Sequence, residues 1–246
     1  MSVLVVSGTG TGVGKTVVTA ALATLASVRG ASVAVVKPAQ TGLGAGEPGD
    51  AHVVAALAGL SREDVHEFTR FPQPLSPAAA ARLSGLAPLS LRDAAARIGA
   101  LADEHRLVLV EGAGGLLVRY DDEGATIADL AHALEASVLV VTTAELGTLN
   151  ATALTLEAMA HRGLRLSGVV IGAWPAAPDL AASSNVRDLE TLAARPLAGA
   201  LPAGAAGLDA ASFLAVAHAG MSPAYGGSFD GADFRHRHEP TRKGQS

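Results

Sequence analysis

Gly8-Thr9-Gly10-Thr11-Gly12-Val13-Gly14-Lys15-Thr16 follows a short apolar, β-branched run at residues 3–6 and opens a helical stretch at residues 16–28. Strand, glycine-rich loop and helix in that order let backbone N–H groups turn toward a phosphate, and the helix N-terminus adds partial positive charge. In such a loop Lys15 reaches the β- and γ-phosphates and the Thr16 hydroxyl ligates Mg²⁺. Five residues separate Gly8 from Gly14, one more than in the usual P-loop spacing. The plain alternative is a flexible loop capping a helix. The unbroken order of strand, Gly-Lys-Thr and helix weighs against it.

Working outward, strand-like runs recur at residues 32–36, 106–110, 137–142, 166–171 and 197–201. Helical stretches lie between them at 51–60, 78–84, 89–104, 127–135, 149–162 and 180–194, with a last one at 210–219. This alternation predicts an α/β fold of P-loop NTPase type: one domain over residues 1–220, a mainly parallel sheet and helices on both faces. Pro38 is expected to stop the second strand, since proline cannot donate to a ladder. From residue 221 to 246 the composition turns to Gly, Ser, Asp, His and Arg without apolar period, which predicts a disordered C-terminal tail. Its His236-Arg237-His238 cluster reads better as a solvated segment than as a metal site.

Composition narrows the function. Hydrophobic residues make up 49% of the 246, enough for a sizeable core. Aromatics are only 3%, which suits buried strands under Ala-rich helices more than an aromatic-rich sandwich. A net charge of −5 argues against nucleic-acid binding. The absence of cysteine excludes disulfides, thiolate metal sites and a cysteine nucleophile within the chain. No membrane span and no secretory signal are expected, so the reading is cytoplasmic.

Three of the 18 basic residues are lysines, at Lys15, Lys37 and Lys243. A chain this biased to arginine would use it wherever any cation served, so lysines that follow strand-like runs read as chemical choices. Glu111 ends the 106–110 strand and opens Glu111-Gly112-Ala113-Gly114-Gly115, which in a parallel sheet faces the same crevice as the glycine loop. A carboxylate there suits Mg²⁺, which is held by one or two carboxylates plus phosphate oxygens. Asp50, taken alone, reads as a helix N-cap.

Together, Gly8 to Thr16, Lys37-Pro38-Ala39-Gln40-Thr41, Val110 to Gly115 and Leu146-Gly147-Thr148-Leu149-Asn150 resemble the dethiobiotin synthetase family in kind and order, over roughly residues 1–219. The longer loop spacing is itself that family's form. The resemblance implies an enzyme that condenses 7,8-diaminononanoate with CO₂ or bicarbonate and closes a cyclic urea using ATP or another nucleoside triphosphate, with Mg²⁺. It makes Lys15 and Lys37 catalytic, and Thr16, Asp50 and Glu111 the metal-site residues. Nucleotide contacts are implied at Gly12, Val13, Gly14, Lys15, Thr16 and Val17. Further contacts follow at Glu111, Gly112, Ala113 and Gly114, and base-side ones at Gly172, Ala173, Leu201, Pro202 and Ala203. Substrate contacts are implied at Thr11, Lys37, Thr41, Gly147, Thr148, Leu149 and Asn150, the last four across a homodimer interface. One departure stands out: many relatives place an Asn after the 166–171 strand, where this chain has Gly172-Ala173-Trp174-Pro175.

Two other P-loop readings stay open. A switch ATPase of the membrane- or chromosome-positioning type carries an extra lysine early in the loop, which residues 9–13 lack. An amide-forming synthetase of the cobyrinate type normally needs an ammonia-generating domain with its cysteine.

Overall fold

The computed structural model describes residues 2–240. Its sheet has seven parallel strands: β1 (Ser2–Gly8), β2 (Val33–Thr41), β3 (Val65–Phe71), β4 (Leu107–Glu111), β5 (Ser137–Thr142), β6 (Leu166–Trp174) and β7 (Gly199–Pro202). Their order is β3-β2-β4-β1-β5-β6-β7. The chain leaves β1 for one side of the sheet and later returns to the other. The crevice beyond the C-terminal end of β1 is therefore the natural ligand position.

Alternate residues of each inner strand feed two cores, because side chains in a strand point to opposite faces. Val5, Val108, Val110, Val138 and Val140 pack under α3 (Pro77–Ser84), α4 (Leu91–Glu104), α5 (Ile127–Ala133), α6 (Thr148–His161) and α7 (Leu180–Ala193). Val6, Leu109, Leu139 and Val141 pack under α1 (Lys15–Val28), α2 (Asp50–Ala58) and α8 (Ala210–Gly220). Burial on both faces explains why these strands read as continuous apolar runs.

Two expectations are corrected and one strand was missed. First, β2 does not stop before Pro38. Its pairing with β4 ends at Val36, and from there to Thr41 it is paired with β3 alone. A proline is tolerated where one flank of the strand has no neighbour. Second, β3 itself is an edge strand whose polar, half-buried residues carry no apolar run, so it did not read as a strand.

Third, the segment after residue 220 is ordered through residue 240. Met221 bridges Gly199 in antiparallel fashion and the Ser222 N–H donates to the Ala198 carbonyl at 2.9 Å, which covers the β7 edge. Asp230 caps a helix, α9 (Gly231–His238), accepting from the N–H groups of Ala232 and Asp233. Phe229 precedes the cap and meets Phe234 one turn in, with ring centroids 5.1 Å apart. That contact is a hydrophobic staple. Two isolated phenylalanines do the anchoring, so no apolar period marks the segment. Residues 241–246, with Lys243, lie outside the described residues.

Candidate active site

The loop after β1 closes on α1 through Gly14, whose φ of 95° is left-handed and open to glycine at little cost. A Cβ on Gly14 would also lie 2.5 Å from the Gly172 carbonyl oxygen, and one on Gly172 would lie 2.1 Å from that of Val13. The glycine loop and the end of β6 thus abut backbone to backbone. Neither position has room for a side chain.

Lys15 is 7% exposed and its ammonium donates to the Gly10 carbonyl at 2.8 Å, folding over the loop. Burial and the nearby Lys37 charge pull its pKa down to about 8. Lys37, on β2, is 4% exposed. It donates to Glu111 Oε1 at 2.8 Å and the Gly112 carbonyl at 3.2 Å, and pairs with Asp50 Oδ2 at 2.5 Å. Burial opposes its charge, but the Glu111 and Asp50 carboxylates outweigh burial and hold its pKa above the ordinary value. Thr16 Oγ1 donates to the same Glu111 Oε1 at 2.9 Å.

The N-cap reading of Asp50 is corrected: Gly49 stands at the cap, Asp50 is the first residue of α2, and its carboxylate turns into the site. Lys15, Thr16, Lys37, Asp50 and Glu111 line one cavity of about 720 Å³, together with Thr11, Gly12, Gly14, Val17, Thr41, Ala113 and Gly114. Glu111 Oε2 is buried without a hydrogen-bond partner, while Oε1 takes two donors. An unsatisfied buried carboxylate oxygen beside a second carboxylate and a threonine hydroxyl fits a hard cation completed by phosphate oxygens. Among the described residues no group of three His, Asp or Glu side chains could hold a metal without such help.

The remaining expected residues lie elsewhere. Val13 and Gly112 are backbone neighbours of the cavity wall. Gly147, Thr148, Leu149 and Asn150 form the start of α6, outside that wall. The Thr148 hydroxyl bonds to Thr142 Oγ1 at 2.6 Å and the Thr143 carbonyl at 2.8 Å, so it serves the interior. Gly172 and Ala173 lie near the end of β6 beside the loop; Leu201 and Pro202 end β7, and Ala203 follows it. The Ala203 N–H donates to the Trp174 carbonyl at 2.8 Å, tying these two rim segments together.

Two positioning residues were missed. Gln40 Oε1 accepts the Asp50 N–H at 2.9 Å and so orients the α2 start; its place in the Lys37 to Thr41 motif was the available signal. The fully buried Tyr120 hydroxyl accepts the Ala113 N–H at 2.9 Å and pins the turn after Glu111. A lone tyrosine in a polar loop offered no signal.

A family model described as an AAA domain matches residues 2–206. The ATP-dependent dethiobiotin synthetase of Frankia casuarinae is 64% identical over 239 residues, covering 97% of this chain and all of that protein. That of Streptomyces coelicolor is 54% identical over 240 residues, covering 98% and 100%. Among solved structures, the MinD cell division protein of Aquifex aeolicus superposes with a TM-score of 0.52 at 14% identity, covering 98% of this chain and 88% of that one. A ParA family ATPase from Chlorobium tepidum gives 0.52 at 15%, covering 90% of each. At such identities these two speak for the fold alone.

Proposed function

The chain belongs to the ATP-dependent dethiobiotin synthetase family, and from that premise we propose how its crevice turns 7,8-diaminononanoate and CO₂ into dethiobiotin at the expense of a nucleoside triphosphate. The observation that carries the reading is the convergence of Lys15, Lys37, Asp50 and Glu111 on one cavity at the end of β1. One amine adds to CO₂ and becomes a carbamate. The γ-phosphoryl group moves to a carbamate oxygen, and the second amine then attacks the carbamate carbon, closing the urea and expelling phosphate.

Carbamate and triphosphate are both anionic, so their approach needs positive charge held in place. Lys15 and the N-terminal turn of α1 supply it on the β/γ side, and Lys37 on the carbamate side. Phosphoryl transfer asks for positioning and charge stabilisation more than covalent help. Ring closure is intramolecular, so orientation supplies much of the rest. No serine or cysteine nucleophile is required. Thr16, Asp50 and Glu111 are the residues we assign to Mg²⁺, which when bound offsets charge on the phosphate oxygens. Thr11 and Thr41 on the cavity wall are assigned to the diamine.

We assign the start of α6 to a second copy of the chain. Leu146 is 90% exposed and Leu154 58%, and Asn150 and Leu154 share a stripe at i,i+4 spacing. The α6 N-terminus has no side-chain cap and suits the substrate's carboxylate. A fully active monomer in sedimentation experiments would remove this interface. No described helix is long and apolar enough to cross a membrane, and we place the enzyme in the cytoplasm.

The reaction is tested by following phosphate release and dethiobiotin by mass spectrometry. Release is expected only when diaminononanoate and bicarbonate are both present; equal release without the diamine would sink the reading.

A further inference from the structure

We propose that the C-terminal helix α9 is a brace that positions the base-side rim of the nucleotide site, acting through Trp174. The inference rests on the assignment of that rim to Gly172, Ala173 and Leu201–Ala203. The chain has one Trp, two Tyr and five Phe, and three of these eight converge here. Trp174 meets Phe234 edge-on at 4.8 Å and His238 at 4.7 Å, Phe234 meets His238 at 4.6 Å, and Phe229 backs Phe234. Such aromatic contacts have preferred geometries and hold a ring in one orientation.

The helix is itself fastened along its length. Arg235 pairs with the buried Glu190 of α7 at 2.5 Å, and Glu190 Oε1 also accepts the Leu197 N–H at 3.1 Å. α9 therefore hangs on the α7–β7 connection and presents Phe234 and His238 to Trp174. From Trp174 the fixing passes in two directions. Its carbonyl takes the Ala203 N–H, which sets the spacing of the two rim segments. Two residues back, Gly172 presses on Val13 and Gly14 with no space for a Cβ, which sets the rim against the phosphate loop.

This matters because the rim carries no side-chain amide to follow a base that shifts. Backbone N–H and C=O groups cannot rotate to meet a ligand, so their contribution depends on where the strand ends are held. In this chain the holding is done by Phe234 and His238 of α9. Phe234 and His238 are thus positioning residues, remote from the reacting atoms.

The test separates the two ends of the nucleotide in the full-length enzyme. Binding of ATP and of inorganic tripolyphosphate, each with Mg²⁺, is measured by calorimetry for the wild type, Phe234→Ala and His238→Ala. Phe234→Ala is expected to weaken ATP by about three- to tenfold, the worth of one or two hydrogen bonds, and to leave tripolyphosphate within about twofold. His238→Ala should move ATP in the same direction by less. In turnover, the ATP KM should rise by a larger factor than kcat falls, with the diaminononanoate KM unchanged. If both ligands weaken equally, or neither weakens, the brace is refuted. Should Phe234→Ala fail to fold by circular dichroism, His238→Ala, which removes an imidazole from a helix end, decides on the same ratio. Wild-type enzyme that binds tripolyphosphate as tightly as ATP would instead overturn the rim assignment itself, and the brace with it.

Discussion

The two ends of the crevice are built from different materials. At the phosphate end, Lys15, Lys37, Asp50 and Glu111 bring four ionisable side chains within reach of one cavity, three of them almost fully buried. At the end we assign to the base, Gly172, Ala173, Leu201, Pro202 and Ala203 offer main-chain groups and apolar surface. Charge in a low-dielectric setting is strong, so the first end should dominate both affinity and rate. The second end can contribute only through placement. Substitutions should therefore act steeply at one end and shallowly at the other.

The largest effect is expected for Lys37→Ala. Turnover should fall by a factor on the order of 10²–10³, the scale seen when a preorganised charge-stabilising donor is removed. Nucleotide affinity should stay nearly constant, because Lys15 and the loop remain. Lys37→Arg should not rescue turnover, since the larger planar guanidinium cannot place its charge at the point that the compact ammonium occupies. Near-normal turnover in the arginine variant would remove Lys37 from the mechanism. Trp174, the single tryptophan, gives an intrinsic emission signal for the binding half of that experiment.

A middling effect belongs to Lys15. Burial and Lys37 hold its pKa at about 8 in the ligand-free protein, so the free enzyme loses this charge as pH rises through that value. A bound triphosphate favours the charged form, so binding takes up a proton there. Affinity should then fall by up to about tenfold per pH unit above pH 8 and level off below it. Lys15→Arg, charged throughout, should flatten the profile. A wild-type affinity that is constant from pH 7 to pH 9.5 would contradict this.

The contrast between the ends also explains what could be read from the sequence. Gly8 to Thr16 and Glu111 were legible because each lies at the end of a strand, where local pattern suffices, and Lys37 because it is a lysine in a chain biased to arginine. Asp50 looked like a cap but follows the capping residue, Gly49; only its pairing with Lys37 across the crevice brings it into the site. The continuation of β2 through Pro38 was hidden because it depends on where β4 ends, a fact of sheet pairing absent from the local sequence. The tail was misread through reliance on period. Its signal was a staple, Phe229-Asp230-Gly231-Ala232-Asp233-Phe234, in which two aromatics flank a capping aspartate. The base rim is the least legible part, since main-chain groups bear no residue-specific mark.

The smallest effect is expected across a nucleotide panel. A bidentate side-chain amide discriminates between bases by about 1–3 kcal/mol in nucleic-acid contacts, and this chain lacks one after β6. ATP, GTP, CTP and UTP should then support turnover with kcat/KM values within about tenfold of one another, that discrimination being lost. Steady-state assays in which ATP works well and the other three hardly at all would mean that some other group reads adenine.

The strand order has a consequence for how the protein is made. β1 pairs with β4 and β5, matching Ser2 with Leu107 and Leu4 with Ser137. β1, which leads into the phosphate loop, is made before β4 and β5, and has no sheet neighbours until about a hundred further residues have been added. Pairings so distant in sequence must meet their loop-closure entropy before any contact rewards it, and they slow folding. During synthesis an apolar β1 and the Ala- and Leu-rich α1 stay exposed meanwhile, open to misassociation. β1 is thus made well before the strands that hold it in place.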